Sequence, residues 1–143
     1  MLHELVFLVH LASFAVAVGG VLYADKVGFS WFLGKVETIS PRTLRTLHNV
    51  MSLSLAFLIL SGLYLFWPER EYLLRQTLFF IKMGLVAALV INSFVIDNLM
   101  DVASQLPFKW IPAGQKAVLF ASGAFSFACW AGSGITALLL FGL

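Results

Sequence analysis

Four long apolar segments alternate with shorter stretches that carry most of the charged residues, prolines and tryptophans of this chain. Each apolar segment is long enough to cross the hydrocarbon core of a bilayer, which takes about 20 apolar residues in a helix. The predicted helices cover approximately residues 2–24, 43–67, 76–100 and 116–142. The pattern predicts an all-α fold, a polytopic membrane four-helix bundle in which residues 1–143 form a single transmembrane domain.

The third segment, QTLFFIKMGLVAALVINSFVIDNLM, carries Lys82, Asn92 and Asp97 inside an otherwise apolar run. A charged side chain in the middle of a membrane helix costs about 3 kcal/mol or more, so such residues normally face other helices or water. We therefore expect these three side chains to find partners inside the bundle, and those partners to decide the chemistry.

The connectors contain start and stop signals for the helices. The first, DKVGFSWFLGKVETISPRTLR, mixes aromatic and basic residues, which indicates an amphipathic element at the interface or a helical continuation of the first segment. Ser40 and Pro41 predict the start of the second helix, and Pro68 predicts its end. The last connector, DVASQLPFKWIPAGQ, has two prolines and Trp110, which favour an interfacial loop over a helix.

Composition supports the same class of protein. The chain is 61% hydrophobic and only 11% charged, whereas a soluble domain is about 25% charged. This excludes a soluble globular or disordered protein, and a net charge of +2 is too small to indicate a nucleic-acid partner. The single cysteine, Cys129, is predicted to be a buried structural thiol. No basic residue precedes the first segment, so we expect a retained transmembrane helix there, not a signal peptide.

The basic residues of the connectors predict the orientation in the membrane, because cytoplasmic loops carry an excess of Lys and Arg. Two basic residues, Arg70 and Arg75, lie in the second connector. The first and third connectors together hold six: Lys26, Lys35, Arg42, Arg45, Lys109 and Lys116. We therefore expect both termini outside (N-out/C-out), in an integral protein of the bacterial inner membrane that contacts membrane lipids.

Helix geometry sorts the polar residues of the segments by depth, since a helix rises about 1.5 Å per residue. The outer layer is predicted to hold His10, Lys82, Tyr64 and Ser133. The inner layer is predicted to hold His48, Asn49, Asn92 and Asp97. The two histidines on neighbouring helices then differ by about 15 Å in depth, which excludes one haem ligated by both. A haem held by His10 alone, or with a different sixth ligand, is compatible with this arrangement.

Several roles stay open for these groups. His10 is either a ligand or proton-handling group, or a hydrogen-bonding partner of a neighbouring helix. Lys82 either faces the bundle and pairs with a carboxylate such as a porphyrin propionate, or extends to the outer headgroups. His48 and Asp97 form either a proton relay or a structural hydrogen-bonded pair. The small residues of GAFSFACWAGSG predict close packing of the fourth helix against a neighbour.

Three stretches resemble the HemJ-like small membrane proteins and the wider group of CopD-like four-helix domains: LVHLASFAVAVGGVLYADKV, RTLRTLHNVMSLSLAFLILSGLYLF and FFIKMGLVAALVINSF. The residues at matching positions are His10, Gly20, Tyr23, Gly62 and Lys82. The chain departs from the family pattern where Asn92-Ser93 replaces a further histidine and where YADKVGF replaces a Leu-Pro-Arg motif. The resemblance implies a b-type haem and oxidation of protoporphyrinogen, with His10 as haem ligand or redox residue and Lys82 as a required charge.

These observations favour a haem- or porphyrin-binding membrane oxidoreductase, assembled as a homo-oligomer, with His10 and Lys82 as catalytic and cofactor-binding residues. Tyr64 and Ser133 are expected to offer hydrogen bonds to the porphyrin or another small hydrophobic ligand. Two alternatives are kept: a small transport, channel or metal-handling module, and an accessory subunit of a larger membrane complex.

Overall fold

The computed structural model describes residues 1–140 and Gly142. In this part of the chain the helices are α1 (Leu2–Phe32), α2 (Pro41–Leu73), α3 (Thr77–Gln105) and α4 (Ala113–Leu140), with a short 3-10 turn at Phe108–Trp110. Each of the four long helices is apolar enough over a sufficient length to cross a membrane. The predicted all-α membrane four-helix bundle is therefore confirmed.

The first two helices extend beyond their predicted ends. α1 continues to Phe32, so the helical continuation is the alternative that the structure adopts. The prediction that Pro68 ends the second helix is wrong, since α2 runs through it to Leu73. A proline removes one backbone hydrogen bond but leaves the N–H groups of the following residues free to pair one turn back. The predicted start is confirmed, with Ser40 as N-cap and Pro41 as the first helical residue.

The third connector also contains more helix than predicted. α3 continues to Gln105, so an irregular loop is wrong for residues 101–105. The next residue, Leu106, has an extended backbone (φ −126°, ψ 139°), because the ring of Pro107 disfavours the helical conformation in the residue before it. α4 begins at Ala113, one turn earlier than predicted, and its predicted end at residue 142 lies partly outside the described residues.

The four helices alternate in direction and form two antiparallel hairpins. α1 packs along α2, and α3 along α4, over most of their lengths, while the contacts between the two hairpins are fewer. A central apolar cluster nevertheless joins both hairpins through five buried residues: Ala17, Val21, Leu89, Cys129 and Trp130. Cys129 is buried in this cluster as a free thiol, as predicted.

Small residues let the helices approach closely. A Cβ added at Gly132 would lie 3.0 Å from a methyl group of Leu85, and one at Gly134 would lie 3.0 Å from the ring of Phe14. Both glycines lie in the stretch for which the sequence predicts close packing, and at these two positions the prediction is confirmed. Gly123 is different, because a Cβ there would meet nothing within 4 Å.

The first and third connectors meet at one end of the bundle, which we call the connector end. Trp31, Ile39, Ala103 and Ile111 form a second buried cluster there. The Ile39 N–H donates a hydrogen bond to the Ala103 carbonyl (2.9 Å), and the Trp31 indole N–H donates to the carbonyl of Leu106 (3.1 Å). These two bonds link the hairpins and hold the loop before α2 in place.

Candidate functional site

His10 is anchored through one ring nitrogen. Its Nδ1 lies 2.8 Å from the Ser61 hydroxyl oxygen on α2. The Ser61 hydroxyl itself donates to the Phe57 carbonyl, with the Leu58 carbonyl 3.3 Å away. A hydroxyl has only one proton to donate, so towards His10 it acts as the acceptor and Nδ1 carries the hydrogen. In the neutral ring the lone pair is then on Nε2.

The His10 ring also packs against Gly62, the residue after Ser61 on α2. A Cβ at that position would lie 3.4 Å from His10 Cε1, so the ring packs directly against the α2 backbone. The ring also has a hydrogen-bonding interaction with the Leu58 backbone of α2. Histidines that bind a metal usually donate their second ring N–H to a fixed acceptor, and Nδ1 has such an acceptor here in Ser61.

Lys82 of α3 is the cation whose charge acts on this ring. It is half-buried and belongs to the other hairpin, so its positive charge acts on His10 from a neighbouring helix pair. Among the described residues it has no ion-pair partner. The charge of Lys82 therefore lies within electrostatic range of the imidazole of the first helix.

Ser133 and Tyr64, the other two residues predicted for the outer layer, differ from each other in burial. Ser133 is buried on α4, in the same half of the bundle, with 6% of its surface exposed. Tyr64 is 45% exposed on α2 and makes no hydrogen bond to the part of the chain that the structure describes. In this arrangement Ser133 belongs to the interior and Tyr64 to the surface.

Ser61 is the site residue that sequence reasoning missed. It lies at the predicted depth of His10 and immediately precedes Gly62, which the family resemblance singles out. It also lies seven residues after Ser54, and both serines are buried on the same face of α2. This spacing was the signal in the sequence that could have identified it.

The predicted inner layer does not assemble into one site. His48 Nδ1 lies 3.7 Å from an Asp97 carboxylate oxygen, and 32% and 59% of the two side chains are exposed. This pair links α2 to α3 near the surface. Asn49 is exposed and points away from the core.

Asn92 is buried and belongs to the contact between α3 and α4. Its side-chain N–H donates to the Ser122 carbonyl (3.0 Å), and the Ser122 hydroxyl donates to the Asn92 side-chain oxygen (2.9 Å). The two residues satisfy each other, which identifies Asn92 as a structural connection between these helices.

The two membrane histidines are far apart, as predicted. His10 contacts Ser61, and His48 precedes Ser61 by thirteen residues on the same helix, which corresponds to about 20 Å along the axis. One iron cannot take both as ligands. In the described part of the chain, no group of three or more His, Cys, Asp or Glu side chains is placed to share a metal ion. Comparisons of the chain with protein-family models, curated proteins and solved structures found no match.

Proposed function

We propose that this protein binds haem b or a related porphyrin at His10 and Lys82, and that it acts as a membrane oxidoreductase of the protoporphyrinogen-oxidase-like or CopD-like kind. The observation that supports the proposal is the anchored ring of His10. Its Nδ1 is held 2.8 Å from Ser61, and the charge of Lys82 acts on the same ring.

The residues present fit one side of a haem. His10 Nε2 would be the iron ligand, and the hydrogen bond from Nδ1 to Ser61 fixes the ring orientation and the tautomer. The Lys82 ammonium would pair with a carboxylate of the porphyrin, because a half-buried cation without an ion-pair partner favours an anion. A bound haem supplies one-electron chemistry. Ser133 would offer a hydrogen bond from α4, and Tyr64 would contribute only from the surface.

The charge distribution supports the proposed setting in the membrane. The connector end carries six basic side chains, compared with Arg70 and Arg75 in the connector between α2 and α3. We therefore place the connector end in the cytoplasm of a bacterial inner membrane and both termini outside. A homo-oligomer is part of the proposal, since one chain offers a single imidazole at the level of Lys82.

An absorption spectrum tests the cofactor. Protein purified in detergent from haem-replete cells should show a Soret band, and His10→Ala should lose it. His48→Ala is the matched control, because this histidine lies about 20 Å away along α2 and should leave the band unchanged. A wild-type protein without a Soret band, or a His10→Ala protein that keeps it, would refute haem binding at this site.

One observation favours a second candidate function, the movement of protons or small polar solutes through the bundle. α4 carries a stripe of buried side chains spaced four and three residues apart: Ser122, Ser126, Cys129, Ser133 and Thr136. The hydroxyls of Ser126 and Ser133, and that of Ser54 on α2, make no hydrogen bond within the described residues. Proteoliposomes should then show flux that Ser126→Ala and Ser133→Ala reduce, while the surface variant Ser52→Ala leaves it unchanged.

A further inference from the structure

A depression with polar side chains lies at the connector end, between the last turns of α1 and the loop that leads into α2. Its apolar walls are Val27, Val36 and Ile39. Its polar lining consists of Tyr23, Lys26, Ser30, Thr38, Ser40 and Thr43. The depression is separate from His10, which lies in the other half of α1.

The loop that forms one wall is held firmly. Ile39 is 6% exposed, and its N–H bonds to the Ala103 carbonyl of α3 at 2.9 Å. On the α1 side, the buried Trp31 packs in the same cluster as Val27 and bonds to Leu106. Both walls are therefore anchored to the opposite hairpin, which presets the shape of the depression.

Most of the polar groups in the lining are available to a ligand. The Ser30 hydroxyl donates to the Lys26 carbonyl, so it is already used. Within the described residues, the Lys26 ammonium has no ion pair, and the hydroxyls of Tyr23, Thr38 and Thr43 make no hydrogen bond. Ser40 makes no side-chain cap hydrogen bond at the start of α2. One cation and several hydroxyl donors around a small concavity suit an anion with several oxygen atoms, such as a phosphate.

The position of the depression favours a lipid headgroup as the source of the phosphate that it would bind. The connector end carries six basic and four acidic side chains. The opposite end carries two basic and three acidic side chains. Anionic lipids attract such basic segments beside membrane spans. The depression also opens where the apolar part of α1 gives way to Asp25 and Lys26, which is the level of lipid headgroups.

We propose that this depression binds the phosphate of an anionic phospholipid such as phosphatidylglycerol. Lys26 provides the charged contact, Thr38, Ser40 and Thr43 donate hydrogen bonds, and the acyl chains continue along the apolar surface of α1. The site does not depend on haem binding, and it makes the loop before α2 a lipid-binding element.

Native mass spectrometry of the full chain in detergent measures the binding directly. Phosphatidylglycerol should bind the wild-type protein more tightly than phosphatidylcholine does, and inorganic phosphate should not compete at concentrations comparable to the lipid. Lys26→Gln should weaken phosphatidylglycerol binding about fivefold, the effect of one basic residue near an anionic surface. Lys26→Arg should retain most of the affinity and shows that substitution at this position is tolerated.

Lys109→Gln is the matched control, because Lys109 lies at the same end of the bundle but outside the depression. Its affinity for phosphatidylglycerol should equal that of the wild-type protein. Equal losses in Lys26→Gln and Lys109→Gln would show diffuse charge attraction and would overturn the site. Equal binding of phosphatidylcholine, or effective competition by inorganic phosphate, would overturn the assignment of an anionic lipid.

Discussion

The Nδ1 of His10 donates a hydrogen bond to the Ser61 hydroxyl, and the 2.8 Å contact joins α1 to α2 inside the membrane-spanning part of the bundle. The Ser61 hydroxyl donates its own hydrogen bond to the Phe57 carbonyl of α2. The serine therefore satisfies a polar ring in an apolar setting, and in the proposed haem site it would also leave Nε2 to bind the iron.

Ser61→Ala should separate these two effects. Loss of the acceptor should destabilise the protein by about 1 kcal/mol, the size measured for hydrogen bonds between membrane helices. It should also shift or weaken the Soret band of the haem-loaded protein, because the ring orientation is no longer fixed. Thermal unfolding and an absorption spectrum measure the two outcomes. Ser52→Ala, an exposed serine on the same helix, should change neither; a Ser61→Ala protein with wild-type stability and spectrum would contradict this role.

Gly134→Ala should destabilise the packing between α4 and α1. The added methyl group would lie 3.0 Å from the Phe14 ring tip, and that ring already contacts Trp130 with centroids 5.9 Å apart. Overpacking of this kind costs about 1–3 kcal/mol. Chemical unfolding in detergent micelles would measure the loss. The matched variant Gly123→Ala, on the same helix with open space around it, should be neutral or slightly stabilising.

Asn92→Leu should weaken the pairing of α3 with α4. The substitution removes both hydrogen bonds to Ser122 and leaves the buried Ser122 hydroxyl without its acceptor. The expected loss in unfolding free energy is about 1–3 kcal/mol. Asn98→Leu serves as the control, because the Asn98 side chain is exposed and bonds only to the Phe94 carbonyl one turn back in its own helix. Similar losses in both variants would show that the link to Ser122 contributes nothing specific.

Asp97→Asn should have a small effect that depends on salt. The carboxylate lies 3.7 Å from His48 Nδ1, and its side chain is 59% exposed. Exposed ion pairs contribute between about 0 and 1 kcal/mol, and salt screens them. Thermal unfolding of both proteins at low and high ionic strength should show a difference that shrinks as salt is added. A large difference that salt does not change would contradict a weak, exposed ion pair.

The sequence by itself determined the class of the protein and the identity of its four helices. A bilayer demands about 20 apolar residues per span, so QTLFFIKMGLVAALVINSFVIDNLM can be recognised as a membrane helix without coordinates. The start of α2 at Ser40 and Pro41 could also be predicted from the sequence. The ends of α2 and α3 could not be predicted. α2 continues past Pro68 and α3 continues to Gln105, in stretches where the apolar pattern gives no signal.

Depth along a helix could also be obtained from the sequence, since each residue adds about 1.5 Å. That arithmetic predicts one level for His10 and Lys82, and it separates His10 from His48. Only the tertiary structure decided which side chains face each other. In that structure His10 is hydrogen-bonded to Ser61, Asn92 is hydrogen-bonded to Ser122, and Tyr64 is exposed on the surface. Rotation about a helix axis depends on how small residues such as Gly62 and Gly134 let neighbouring helices approach, and that is a property of the packed bundle.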